Sequence, residues 1–203
     1  MTGTRRPSLP SLGTVLLGLA LGVLAPACID LKPKEGPQIR WINLGDLEPD
    51  GSTELAPPEQ PRLQIERVEV SDGVTDQLAT RRTEFEVTYD ELVRWVEPVE
   101  DVVLRALEAE LFRSRGFLRA TTPPRRRLRV SVIAFEETYV PRHEAIVRLG
   151  VRLVDPSRDE SLLDRIIEGR QSIDGDDPAL VAQAMTGALR SVVTELSDLV
   201  ATR

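Results

Sequence analysis

The stretch LRVSVIAFEETYVPRHEAIVRLGVRL, residues 128–153, decides the architecture of this chain. Leu128, Val130, Val132 and Ala134 recur at every second position, and so do Ala145, Val147, Leu149, Val151 and Leu153. A period of two is the mark of a strand with one buried side. The positions between them carry Arg129, Ser131, Arg148 and Arg152, so the opposite side faces water. A turn at Pro141, Arg142 and His143 joins the two runs, which predicts a long antiparallel pair.

Outward from this pair the periodicity changes twice. Upstream, Leu63, Ile65, Val68 and Val70 alternate with polar residues, and a one-place slip at Glu66 and Arg67 predicts a β-bulge. Residues 77–81 and 84–89 read as a second strand pair, with Phe85, Val87 and Tyr89 sharing a face. Pro98 then suits the first position of a helix in which Val99, Val102, Val103, Ala106, Leu107 and Leu111 follow the 3.6-residue period. Gly116 is placed to stop that helix as the left-handed residue beyond the C-cap. Downstream, a shorter strand over residues 165–173 leads to Asp174, Gly175, Asp176 and Asp177. Asp177 as N-cap and Pro178 in the first turn open a long helix. Val181, Ala184, Met185, Ala188, Val192, Leu196 and Leu199 give it one apolar stripe. Strands wet on one side and helices with single stripes bury each other in one way. The fold class is therefore α/β: a two-layer mixed β-sheet of about five or six strands with two amphipathic helices packed on one face.

Composition narrows the function classes. The chain has 203 residues, with 26 Lys and Arg against 33 Asp and Glu, one Cys and one His. That length allows one ordinary domain plus extra segments. One Cys excludes an intramolecular disulfide framework, and together with one His it cannot make a structural zinc site. A net charge of −7 argues against a nucleic-acid surface, which needs excess cations on one face.

The N-terminus reads as an address. Arg5 and Arg6 precede an uncharged run, Val15 to Ala25, with the length of a signal-peptide h-region and too short for a comfortable bilayer span. Leu24, Ala25, Pro26 and Ala27 then lead to Cys28. Small residues before a solitary Cys at this place resemble the lipobox of bacterial lipoproteins, in which the Cys becomes the acylated first residue. Residues 1–27 are thereby expected to be a lipoprotein signal peptide and Cys28 the lipid attachment site. The same residues also admit a secreted chain cleaved near Ala25 or Ala27, or an uncleaved anchor whose Gly18 and Gly22 pack against another helix. Ile29, not Asp, follows Cys28, which lacks the inner-membrane retention signal and favours the outer membrane. Without residues 1–27 the chain has 24 basic and 33 acidic residues, net −9, so acyl chains rather than surface charge would hold it at a membrane.

From Cys28 to Pro61 the chain has Pro33, Pro37, Pro49, Pro57, Pro58 and Pro61, which makes this segment tether rather than core. Fully extended, it reaches on the order of 110 Å. Its apolar patch, Ile39, Trp41, Ile42 and Leu44, is expected to dock as an edge strand and shorten that reach. Three segments result: signal peptide 1–27, Pro-rich tether 28–61 with a short docked strand, and folded domain 62–203.

Catalytic signatures are sparse. The sequence has no Gly-rich phosphate loop, no Gly-x-Ser-x-Gly elbow and no zinc-protease His-Glu-x-x-His. His143 is expected in an exposed hairpin loop. Asp174, Asp176 and Asp177 lack the alternating ligands and distal Glu of a calcium loop, whereas helix capping accounts for them. Arg125, Arg126, Arg127 and Arg129 form a basic run that reads either as a solvated start of a strand or as a contact for an acidic partner. The expectation is a protein that is not an enzyme, with no metal and no cofactor.

The run from Tyr89 to Val99, with Arg94, Trp95, Val96, Glu97 and Pro98 at its centre, leads into the helix that ends at Leu111 to Phe117. It resembles the ABC-type transport auxiliary lipoproteins, the group that accompanies MCE-type lipid transporters and shows an Arg-Trp-Ala-Glu-Pro-Leu motif before its first helix. In order the likeness continues through the lipobox, the short aromatic strand at residues 39–44, the strand with Phe135 and an Ala- and Leu-rich final helix. It makes residues 62–203 an ABC-type transport auxiliary domain. The resemblance implies a periplasmic domain anchored in the outer membrane by acyl chains, partnering an MCE-domain protein and an ABC permease and ATPase, and it leaves self-assembly as a homo-oligomer open. Arg94, Trp95 and Glu97 are the candidate partner-binding residues. The competing reading packs Trp95 beneath the helix and pairs Arg94 with a carboxylate such as Glu97. Two other functions compete: a lipid-anchored scaffold or activator of another envelope complex such as cell-wall synthesis, and a direct lipid carrier. The carrier needs a sheltering cavity, for which 4% aromatics and two helices spent on one sheet leave little apolar surface.

Overall fold

The computed structural model describes residues 36–45, 47, 62–120 and 126–203. The signal segment, Cys28, Arg125 and most of the tether lie outside the described residues.

One mixed sheet holds β1 (Arg40–Ile42), β2 (Arg62–Val70), β3 (Gln77–Arg81), β4 (Val87–Trp95), β5 (Leu118–Arg119), β6 (Arg126–Thr138), β7 (Glu144–Asp155) and β8 (Glu160–Ser172). Among the described residues two helices accompany it, α1 (Val99–Glu108) and α2 (Pro178–Ala201), and α1 runs on into a π-helical turn at Ala109–Ser114. The long β6 organises the sheet. It pairs antiparallel with β7, while β2 joins it in parallel along its first half and β3 along its second. β4 pairs antiparallel with β3, β1 lies parallel on β4, β5 lies parallel on β2, and β8 closes the other side on β7.

Eight strands among the described residues correct the expected five or six. Among them β1 and β5 have three and two residues, too few to display a period. Two other strand bounds move. The strand expected at residues 84–89 runs from Val87 to Trp95, leaving Phe85 in the turn at 91% exposure, and the strand expected at 165–173 begins already at Glu160. Ala134 also changes side. A register shift after Val132 pairs Ala134 with Arg148 and returns Phe135 to the core opposite Val147. One inserted residue reverses the alternation, and apolar Ile133 and Ala134 in sequence give no sign of it. The slip read at Glu66 and Arg67 is real, since the β2–β6 register shifts between Ile65 and Val68.

Pro98, expected as the first helical residue, stands one place earlier as the N-cap of α1, where its extended ψ starts the helix at Val99 and its carbonyl accepts from the Val102 amide at 3.2 Å. Asp177 accepts a hydrogen bond from the Ala179 amide at 3.0 Å, and Gly116 takes φ 69° after the turn. Val99, Val102, Val103, Ala106, Leu107 and Leu111 are all buried, as are Val181, Met185, Ala188, Val192 and Leu196. α1 packs on β2 and against α2, which lies along β7 and β8. A single core results. At Gly169 in β8 the helix α2 passes close over the strand, and an added Cβ would lie 2.3 Å from the Ala188 carbonyl oxygen. Among the described residues no helix is long and apolar enough to cross a membrane.

Candidate interaction site

Successive strand residues point to opposite faces, and Arg94 and Trp95 end β4 in that way. Trp95 turns inward, 4% exposed, and meets Phe135 edge to face at 5.2 Å between ring centres. Its indole N–H is buried and finds no acceptor among the described residues. Its main-chain amide donates to the Asp76 carbonyl at 2.8 Å. Arg94 turns outward and pairs with the Asp76 carboxylate at 2.5 Å. The packing reading, with Trp95 buried and Arg94 on a carboxylate, thus holds in kind, but the carboxylate is Asp76 and not Glu97. Glu97 lies past the end of the strand, where the start of the helix directs it to Arg105 at 3.0 Å.

The docked tether strand completes this corner. β1 runs beside β4 with Trp41 opposite Arg94 and Ile42 opposite Trp95, and the Val96 amide donates to the Ile42 carbonyl at 3.0 Å. Ile42 and Leu44 are buried, while Ile39, Trp41 and Val96 are 48%, 60% and 50% exposed. Those three values mark an apolar surface above the buried indole. Trp41, Val74, Trp95, Val96 and Pro98 are among the walls of a groove of about 380 Å³. Sequence reading missed Asp76 and the seat of Trp41, because both come from segments distant from residues 94–98 along the chain.

A second polar cluster lies at the far end of β6. His143, expected in an exposed loop, has a side chain only 19% exposed and places Nε2 2.7 Å from Glu137 Oε1. The loop placement stands, but the exposure does not, because the hairpin folds the imidazole back, stacking it on Tyr139 at 4.2 Å. Thr80 Oγ1 donates to Glu137 at 3.1 Å, and the Tyr139 hydroxyl donates to Glu137 at 3.2 Å and to Asp176 at 3.4 Å. Burial first, and then the Glu137 carboxylate, push the Tyr139 phenol up to about 12. Beside it Arg81 makes two hydrogen bonds to Glu136, at 2.7 and 3.0 Å. The cluster knits β3, β6 and the turn before α2 together. Among the described residues no group of three His, Cys, Asp or Glu could hold a metal ion. Asp177, from the acidic trio before α2, serves as the cap.

The family model described as ABC-type transport auxiliary lipoprotein component matches residues 46–197. No curated protein matches the chain. Among solved structures, a Xanthomonas campestris protein of the family DUF330 is 18% identical with a TM-score of 0.67, covering 80% of this chain and 95% of that one. An uncharacterised protein at 14% identity and TM-score 0.62 covers 80% of this chain and 99% of its own. A hypothetical protein of Chlamydia trachomatis is 10% identical at TM-score 0.52, covering 71% and 100%. These likenesses speak for the fold alone.

Proposed function

The chain belongs to the ABC-type transport auxiliary lipoprotein family, and from that premise we propose that it serves an MCE-type ABC lipid transport system from the periplasmic face of the outer membrane. In this reading Cys28 carries the acyl chains, and the folded domain docks on the MCE protein or its permease without catalysis. The observation that carries it is the family match over residues 46–197, in a chain whose tether is pinned to the domain at β1. From Cys28 to Arg40 an extended chain spans at most about 40 Å, so the anchor keeps the domain close to its membrane. Partner contact falls at the corner built by Arg94, Trp95 and Glu97, with Trp95 supporting from beneath while Trp41 and Val96 offer apolar surface.

Affinity capture of the full-length chain from detergent-solubilised envelopes tests this. Recovery of an MCE protein or its permease is the expected result. Recovery of a peptidoglycan synthase in their place would refute it in favour of a scaffold for cell-wall synthesis.

A further inference from the structure

The outer face of the sheet pairs most of its arginines with carboxylates, but one end is undersupplied. Arg148 pairs with Glu168, Arg170 with Glu168 and Glu144, and Arg81 with Glu136. At the start of β6 the pattern breaks. Arg129 stands directly opposite Arg152 in the β6–β7 register, and Arg127 lies two residues before it on the same face. Like charges facing each other across strands cost stability unless something bridges them. Glu66 is the near carboxylate, and it is shared: one oxygen meets Arg129, the other Arg127 at a long 3.5 Å. Among the described residues Arg152 pairs with Asp164 at 3.8 Å, whose side chain is 72% exposed.

A further observation points to a ligand. The three arginines line one groove of about 390 Å³, closed by Val154, Pro156 and Asp159, and the Arg127 side chain, 41% exposed, is open to it.

We propose that Arg127, Arg129 and Arg152 form a binding site for a phosphate group. Three guanidinium groups from two strands converge on one groove, and a phosphate presents enough oxygens to accept from all three, whereas a carboxylate presents two. Val154 and Pro156 give the groove an apolar wall against which the ester carbons of an organic phosphate fit. Asp159 on the rim opposes surplus negative charge. Its φ of 51° is one that Asn adopts as readily, so its charge can be removed without moving the backbone. The inference goes beyond the transporter reading and does not depend on it: a failed capture of an MCE partner leaves the arginine cluster unchanged.

The test uses the full-length chain in maltoside micelles, with arginine Nε–H signals followed by NMR at constant ionic strength set with chloride. Inorganic phosphate is titrated first, then sodium acetate, then dihexanoyl phosphatidic acid. Saturable shifts of Arg127, Arg129 and Arg152 with phosphate, and much weaker ones with acetate, are expected. Arg129→Gln with Arg152→Gln should weaken phosphate binding at least about tenfold, and Asp159→Asn should tighten it about twofold. Unfolding midpoints monitor folding of each variant, and Arg152→Gln alone, at an exposed side chain, carries the test if the double variant unfolds. Phosphatidate binding about tenfold tighter than phosphate identifies a lipid headgroup, and equal affinity identifies free phosphate; both support the site. No saturable shift, acetate binding as tightly as phosphate, or undiminished binding in the arginine variants would overturn it.

Discussion

Replacing Gly169 by Ala tests the seat of α2 on the sheet. The added Cβ would lie 2.3 Å from the Ala188 carbonyl oxygen and 2.6 Å from Val192 Cγ2. An ordinary C···O approach is about 3.3–3.6 Å, so the helix must lift by roughly 1 Å over this strand. The obstacle is helix backbone, which no rotamer change can relieve. Overpacking of this kind costs about 1–3 kcal/mol, and a rigid partner places Gly169→Ala near the upper end. Relief of glycine's backbone entropy offsets about 0.5–1 kcal/mol, leaving a net loss of about 2 kcal/mol. For a domain of this size that corresponds to a fall in Tm of roughly 4–8 °C. Gly150→Ala is the control. Its Cβ would meet Ser131 Oγ at 2.6 Å and Ile133 Cδ1 at 3.3 Å, both ends of side chains that can rotate away. Thermal and urea unfolding followed by circular dichroism should therefore rank Gly169→Ala well below Gly150→Ala and the parent chain. A Gly169→Ala variant as stable as the Gly150→Ala one would refute the close seating of α2 on β8.

Three other outcomes follow from the same structure. Trp95→Ala should cost about 3–5 kcal/mol in urea unfolding, whereas Trp95→Phe should cost much less, since it keeps the contact with Phe135 and removes the unpaired indole donor. Tyr139 has a folded pKa of about 12 against an ordinary 10, so its contribution is complete below pH 10 and lost as pH rises through 12. Unfolding midpoints of Tyr139→Phe should lack that loss, and an unchanged alkaline limb would count against the burial of this phenol. At Glu168 burial raises the carboxyl, but hydrogen bonds from Arg148 and Arg170 outweigh it and hold the pKa below 4.5. Its stabilisation is present above pH 4.5 and lost as pH falls through the lower folded value, so Glu168→Gln should be less stable at neutral pH and show a shallower acid limb.

What the sequence discloses depends on how local the controlling physics is. The Asp177 cap, the Gly116 stop, the α1 and α2 stripes and the bulge at Glu66 and Arg67 are set by neighbours within a few residues, and they stand where composition and period put them, while Pro98 shifts by one place from first helical residue to N-cap. The strand that ends at Trp95 is not legible locally because its outer position Arg94, and Val96 just beyond its end, gain their meaning from β1 and from Asp76, far away in sequence. The switch of Ala134 to the outer face was hidden for a related reason: a bulge within an apolar run leaves the hydropathy pattern unchanged. His143 looked like a loop residue, and only the folded hairpin shows that Glu137 waits beneath it. Arg127 and Arg129 were visible as a basic run, whereas Arg152 joins them only through strand register.

The Arg94-Trp95-Val96-Glu97-Pro98 run does several structural jobs at once, and this bears on how it can act in partner contact. Arg94 fixes the loop at Asp76, Trp95 fills the core against Phe135, Val96 holds the tether strand through the Ile42 carbonyl, and Glu97 braces the first helix through Arg105. These residues thus join the tether to the folded domain. If Cys28 is the anchor and a partner grips the exposed Trp41 and Val96, as proposed, that partner would also grip the point where the tether strand meets the domain, and docking and membrane distance would be linked at one corner. Substitutions at Trp95 loosen both together. Substitutions at Trp41, which projects outward from a strand held by its backbone, separate them: Trp41→Ala removes apolar contact surface while leaving the Val96 to Ile42 hydrogen bond in place.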